Sequence, residues 1–199
     1  VNKHISIKTK IHSVLHLLNS SMFLMIFLVA VLSIPMLYIK NEYAHLKSYF
    51  YMMSFFVISS VIFFICYWYM FKKSYGGGLK SFFKYTGTFF TFFSIAMGFS
   101  LHNSIAVLEG HFGKKSDFIR TPKFNIKTLQ DSWRKNKYIT KKPSINILVE
   151  GVLTLYFAFG MYSAFMVGDT GGDFGLFPFH LILFFGFGYV FYTSIFTKS

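Results

Sequence analysis

Long apolar runs alternate with short charged ones along this chain. Five runs, at 22–39, 48–71, 86–108, 145–167 and 176–196, are long enough to consider as spans, because a helix needs roughly 20 apolar residues to cross the hydrocarbon. None of them contains Lys or Arg. Pro35 lies near the end of the first run, where it predicts a kink or a loosened last turn. Glu150 lies near the start of the fourth; it either begins a helix, where a carboxylate is favoured, or pairs with a basic loop residue. Residues 5–21 carry Ile7, Ile11, Val14, Leu15 and Leu18 near helical spacing, with Lys3, Lys8, Lys10 and His12 between them. That pattern predicts a surface helix leading into the first span.

Composition agrees with membrane residence. Charged residues make up 14%, apolar residues 54% and aromatics 22%, with 29 Phe. A soluble domain carries about a quarter charged residues, and this chain has too little polar surface to cover a water-soluble globule. The fold class expected is therefore all-α: a polytopic membrane protein. Cys66 sits alone in an apolar run, which predicts a small buried apolar side chain and no internal disulfide. The first residue is Val rather than Met, so the chain reads as a fragment or a processed product, and no signal peptide is visible.

The net charge of +13 points to nucleic acid in a soluble protein, but in a membrane protein it marks the loops that stay in the cytoplasm. Position decides. Segment 72–85 carries four lysines and segment 111–142 carries ten lysines and arginines, whereas 40–47 has Lys40 and Lys47 and 168–175 has only Asp169 and Asp173. If all five runs cross, the two basic segments fall on opposite sides. If 86–108 does not cross, residues 1–12, 72–85, 111–142 and the C-terminus all share the cytoplasmic side. The expectation is thus about four transmembrane helices plus two interfacial helices. Residues 1–21 form an interfacial helix, 22–71 a first transmembrane hairpin, 79–110 an interfacial or re-entrant helix, 111–143 a basic gating-type loop, and 144–199 a second hairpin.

Candidate chemistry concentrates in 111–142. A connection of that length without structure of its own is usually functional or disordered. Pro122 and Pro143 punctuate it, and Trp133 is stranded among charges. Interleaved aromatics and lysines suit an anionic small molecule such as a nucleotide diphosphate; a plain loop held by anionic lipid is the alternative. His12 and His16 share a helix face at i,i+4 spacing, but no third metal ligand lies near. His102, Asn103, Glu109 and His111 read as a packing and hydrogen-bonding seam, or as groups at a channel entrance. Gly76-Gly77-Gly78 lacks the Lys-Ser/Thr of a phosphate loop and reads as a turn.

The run Phe118-Ile119-Arg120-Thr121-Pro122-Lys123 resembles the Phe-x-Val-Thr-x-Lys gating loop of bacterial cellulose synthase and related processive family 2 glycosyltransferases. The preceding MGFSLHNSIAVLEGHFGKKSDF resembles the interfacial helix that leads into that loop, and LHLLNSSMFL resembles the interfacial helix and span that follow the catalytic domain. The order of elements agrees over nearly the whole chain, which looks closest to the Bacteroidetes type of these membrane enzymes. The resemblance implies a C-terminal membrane half in the bacterial inner membrane, preceded by a catalytic domain of the same polypeptide. That domain would bind the nucleotide-sugar donor and a divalent metal (Mg or Mn), and hold the base and the Gln-x-x-Arg-Trp acceptor run. None of these runs occurs here, so the chain alone is expected to be inactive, with no catalytic or metal-binding residue of its own. The loop residues implied are Phe118, to pack the closed loop, and Thr121 and Lys123, to approach the donor diphosphate. Arg120 stands where the family has Val and offers a bidentate phosphate contact; Trp133 joins them as a further loop candidate. The partners implied are the bilayer, the donor, and a glycan or lipid-linked acceptor, with no nucleic acid. A small transporter or non-enzymatic membrane subunit is the rival class.

Overall fold

The structure, a computed structural model, describes residues 6–114, 145–168 and 171–196. Every regular element among these residues is helical: α1 Ile7–Glu42, α2 Lys47–Met53, α3 Val57–Tyr75, α4 Leu79–Gly98, α5 Ser100–His111, α6 Ile145–Met166 and α7 Phe177–Phe196. A 3-10 turn, Ser54–Phe56, joins α2 to α3, and Phe99 alone separates α4 from α5. Five segments are long and apolar enough to cross a membrane: Ile7–Glu42, Ala44–Tyr75, Leu79–His111, Ile145–Met166 and Phe177–Phe196. The chain is a multi-pass helical membrane protein by this measure.

Helix α1 begins at Ser6, whose hydroxyl accepts the Thr9 amide at 3.2 Å and so satisfies one of the orphan donors of the first turn. It then runs unbroken through both the expected surface helix and the expected first span. Pro35 lies inside it, and the helix continues to Glu42, so the expected loosening does not occur. The reason is a partner far away in sequence. Proline has no N–H, which leaves the carbonyl four residues earlier, that of Val31, without its helical donor. The Tyr156 hydroxyl of α6 donates to that carbonyl at 2.6 Å.

Further contacts fix how the helices run. Tyr38 of α1 donates to Ser163 of α6 at 2.9 Å, and Lys40 meets Asp173 just beyond α6 at 2.7 Å; α1 and α6 therefore point the same way. On α7, His180 packs against Gly160, Phe187 stacks on Phe157 with ring centroids 5.4 Å apart, and Phe191 covers Gly151. Hence α7 returns antiparallel to α6. Glu42 and the 167–176 turn share one end of the bundle, and the starts of α1 and α6 share the other with the end of α7. The buried core is Ala30, Ile34, Leu101, Leu153, Phe157, Leu183 and Phe187.

Small residues permit the closest approaches. A Cβ on Gly98 of α4 would strike the Gly186 carbonyl of α7, and one on Gly186 would strike the Ser94 carbonyl. Ser94 and Gly98 thus form a small-xxx-small face. In the 167–176 turn, Gly172 adopts φ +109°, and a Cβ there would lie 2.6 Å from the Ala164 carbonyl. This turn delivers Asp173, which accepts from Lys40, from Asn41 at 3.1 Å and from the Gly175 amide at 3.1 Å. Partial burial pushes the Asp173 carboxyl up, but these hydrogen bonds and the lysine charge outweigh it and hold the group below its usual range. Its contribution to stability is therefore complete above the ordinary carboxylate range and is lost as pH falls through the lower folded value.

No residue of α3 is buried. It meets α4 through Phe64, Trp68 and Phe71 against Phe82, Tyr85 and Phe89, and Tyr85 donates to the Phe64 carbonyl at 2.6 Å. Cys66 lies on this helix and is exposed, not buried as expected, because α3 has no bundle partner on that face. Gly78, with φ +111°, caps the start of α4, so the glycine triplet serves as the turn its composition predicts.

Candidate functional site

Phe118, Arg120, Thr121, Lys123 and Trp133 lie outside the described residues. The structure shows what anchors their segment: α5 ends at His111 and α6 begins at Ile145. Near the second of these anchors lies a fully buried acidic side chain. Glu150 is fully buried, little more than a turn into α6, and its Oε1 meets Nε2 of His102 on α5. It lies beyond the first turn of α6, and its partner among the described residues is a histidine of another helix; the basic loop residues lie outside the described residues.

A carboxylate has a large desolvation cost inside an apolar bundle, and ionisable groups at membrane depth are costly unless paired. His102 supplies the partner. An ionised Glu150 only accepts, so Nε2 of His102 is the donor, and the ring can carry a positive charge or stay neutral in that tautomer. The His102 side chain is 38% exposed against 0% for Glu150, so the imidazole connects the buried carboxyl group to the bundle surface. Glu150 Oε2, buried, has no hydrogen-bond partner among the described residues, nor do the buried hydroxyls of Ser100 and Ser104.

The other members of the expected seam separate into different surroundings. Glu109 pairs with Lys114, both well exposed, which is worth little in stability. Asn103 and His111 face a groove on the α1 side. Among the described residues no three His, Cys, Asp or Glu side chains gather around a common point, and His12 and His16 are exposed.

A second buried polar contact joins α1 to α7. Ser33 donates to the Ala30 carbonyl at 2.6 Å, and its oxygen lies 2.9 Å from His180 Nε2. The hydroxyl proton is already committed, so the imidazole is the donor in this pair. Nothing in the apolar pattern around Ser33 and His180 announces their pairing; a lone histidine inside an apolar run was the available signal.

Replacing His102 by Ala strands the buried carboxylate, whereas replacing Glu150 by Gln keeps its shape and removes its charge. Thermal unfolding in detergent is expected to show His102→Ala costing about 3 kcal/mol and Glu150→Gln clearly less. Equal losses would contradict the pairing. No family model, no curated protein and no solved structure matches this chain.

Proposed function

We propose that this chain is the membrane-embedded C-terminal part of a processive-type family 2 glycosyltransferase of the cellulose-synthase-like Bacteroidetes type, acting at the bacterial inner membrane. The intact enzyme transfers a sugar from a nucleotide-sugar donor to a polysaccharide or glycolipid acceptor. The observation that carries the reading is the run Phe118-Ile119-Arg120-Thr121-Pro122-Lys123 inside a basic segment between apolar helices. The bundle supports it indirectly: α5 packs on the first half of α1, beside Val14 and Leu18, so the basic segment leaves and re-enters at the same end. In this reading Thr121, Lys123 and Arg120 face the donor diphosphate, and Phe118 and Trp133 pack the loop over it. The preceding catalytic domain supplies the aspartates and the divalent metal.

Four crossings belong to the same proposal. Glu42 and His111 lie at opposite ends of the bundle, so an odd number of crossings separates them, and only Ala44–Tyr75 and Leu79–His111 lie between. With α1, α6 and α7 the sum is even. We assign the crossing to Ala44–Tyr75, which is apolar on every face and leaves Lys72, Lys73, Lys80 and Lys84 on the cytoplasmic side. The backbone contact of Gly98 with Gly186, half-way along α7, favours a second arrangement in which Leu79–His111 crosses instead. Cysteines at positions 47, 80 and 137, labelled from each side, separate them. Position 80 is expected to react on the side of 137 and opposite 47; reaction of 80 with 47 would establish the second arrangement, and 47 with 137 would overturn both.

The rival class, a small transporter or non-enzymatic membrane subunit, draws support from the buried His102–Glu150 pair, since paired charges in the bilayer mark transport paths. That pair sits near a helix start rather than at mid-membrane. Donor turnover decides. In the intact enzyme Lys123→Ala is expected to raise the KM for the nucleotide sugar by about tenfold, the scale of one charge-assisted hydrogen bond. Unchanged KM and kcat would refute the assigned role.

A further inference from the structure

Helices α3 and α4 lose their charge at the same level. Lys72 and Lys84 are the innermost cations of the two helices, counted from the glycine turn between them. Phe71 and Tyr85, one residue further in, meet with ring centroids 5.4 Å apart. Two helices thus mark one membrane boundary independently. Deeper still, Phe64 meets Phe89, so the helices run antiparallel, and whichever of them crosses carries the other into the same leaflet. Outward of the boundary lie Lys72, Lys73, Lys80 and Lys84, all exposed. At 1.5 Å per residue their Cα atoms stand within about 8 Å of it, the depth of one headgroup layer. Two of them are held towards the mouth of the pair. A Cβ on Gly77 would lie 2.9 Å from Lys72 Cε, so that side chain lies across the glycine turn. Lys84 Nζ sits 5.9 Å from the centre of the Tyr75 ring, which packs on Phe71 at 4.7 Å. No Asp or Glu occurs between Glu42 and Glu109, and among the described residues none of the four lysines has an ion-pair partner. Inward of these charges a groove of about 500 Å³ opens between the helices. Ser74 stands at its mouth, Phe71 and Tyr85 at the boundary, and Met70, Phe92 and Phe93 further in. Phe93 lies eight residues inward of Tyr85, about 12 Å, which is within one leaflet of about 15 Å of hydrocarbon.

We infer that the glycine turn and this groove together hold one anionic phospholipid, its phosphate on the lysines and an acyl chain against the aromatic wall. Each half of the site narrows the occupant. Four unneutralised lysines in the headgroup layer attract an anion. An apolar groove directly beneath them excludes a fully hydrated one. A soluble phosphate would meet the lysines and leave the groove unfilled; a zwitterionic lipid would fill the groove and leave the charge unanswered. Lys72 and Lys84 are the two cations nearest the groove in depth, so they carry most of the choice of headgroup. The inference rests on the membrane placement of α3 and α4 alone and holds whether or not the chain belongs to a glycosyltransferase.

Native mass spectrometry of the detergent-solubilised chain, titrated with phosphatidylglycerol or phosphatidylcholine, tests it. The wild-type chain is expected to retain one phosphatidylglycerol with at least about fivefold preference over phosphatidylcholine, the factor that one lysine at an anionic surface is worth. Lys72→Gln with Lys84→Gln, both at exposed positions, is expected to cut that preference by at least about fivefold. Lys8→Gln with Lys10→Gln, at the start of α1, leaves it as it was. Thr88→Trp places a large ring in the groove, which Thr88 lines, and lowers retention of either lipid. Excess glycerol phosphate does not displace the bound lipid. Equal retention of the two lipids by the wild-type chain would overturn the inference, as would an equal loss of preference in the two double variants. A well-folded Thr88→Trp chain that binds lipid as before would remove the groove from the site. Displacement by glycerol phosphate would show a soluble-anion site and contradict the lipid.

Discussion

One missing N–H organises this bundle. Pro35 deprives the Val31 carbonyl of its helical donor, and in a membrane no water stands ready to replace it. The Tyr156 hydroxyl does so. That bond fixes α6 against α1 at one depth and in one rotation. From there the partners follow in register: Ser163 opposite Tyr38 and Asp173 opposite Lys40. Because α7 returns along α6, His180 arrives beside Ser33. Interhelical hydrogen bonds in membranes are modest one at a time, so their effect here lies in specifying register more than in summed strength. Dispersion packing around Phe157 and Phe187 supplies much of the rest.

The same logic explains where the bundle admits charge. Lys40 and Asp173 meet at an end, where water can share the cost. Glu150 is buried, and His102 on α5 answers it. That contact links the start of α5 to the second turn of α6. The α4–α7 contact follows a different rule: it carries no charge and depends on the absence of side chains at Gly98 and Gly186.

Much of the architecture was legible in the sequence because apolar length is a direct membrane signal. All five apolar runs are helical where expected. The failures share a cause. Pro35 predicts a kink or a loosened last turn, and only a tyrosine 121 positions later in the chain (35 to 156) restores the missing bond. Glu150 reads as a helix start or a basic loop partner; it lies beyond the first turn, and its partner among the described residues is a histidine on another helix. Cys66 sits in an apolar run that in a soluble protein means burial; in a membrane helix the same run can face lipid. Hydropathy gives the span, whereas pairing across helices depends on rotation about each axis, which a single sequence does not encode locally. Of the proposed site, the donor-loop residues come from motif resemblance, and the His102–Glu150 pair became visible only in three dimensions.

The central claim is that Tyr156 repairs the proline break in α1. A double-mutant cycle tests it. In the wild-type background Tyr156→Phe leaves the Val31 carbonyl unpaired and is expected to cost about 1–2 kcal/mol of stability in detergent. In a Pro35→Ala background the alanine N–H can satisfy that carbonyl within the helix, and the same Tyr156→Phe change is expected to cost much less. An equal loss in both backgrounds would show that the tyrosine stabilises the bundle for some other reason and would contradict the account.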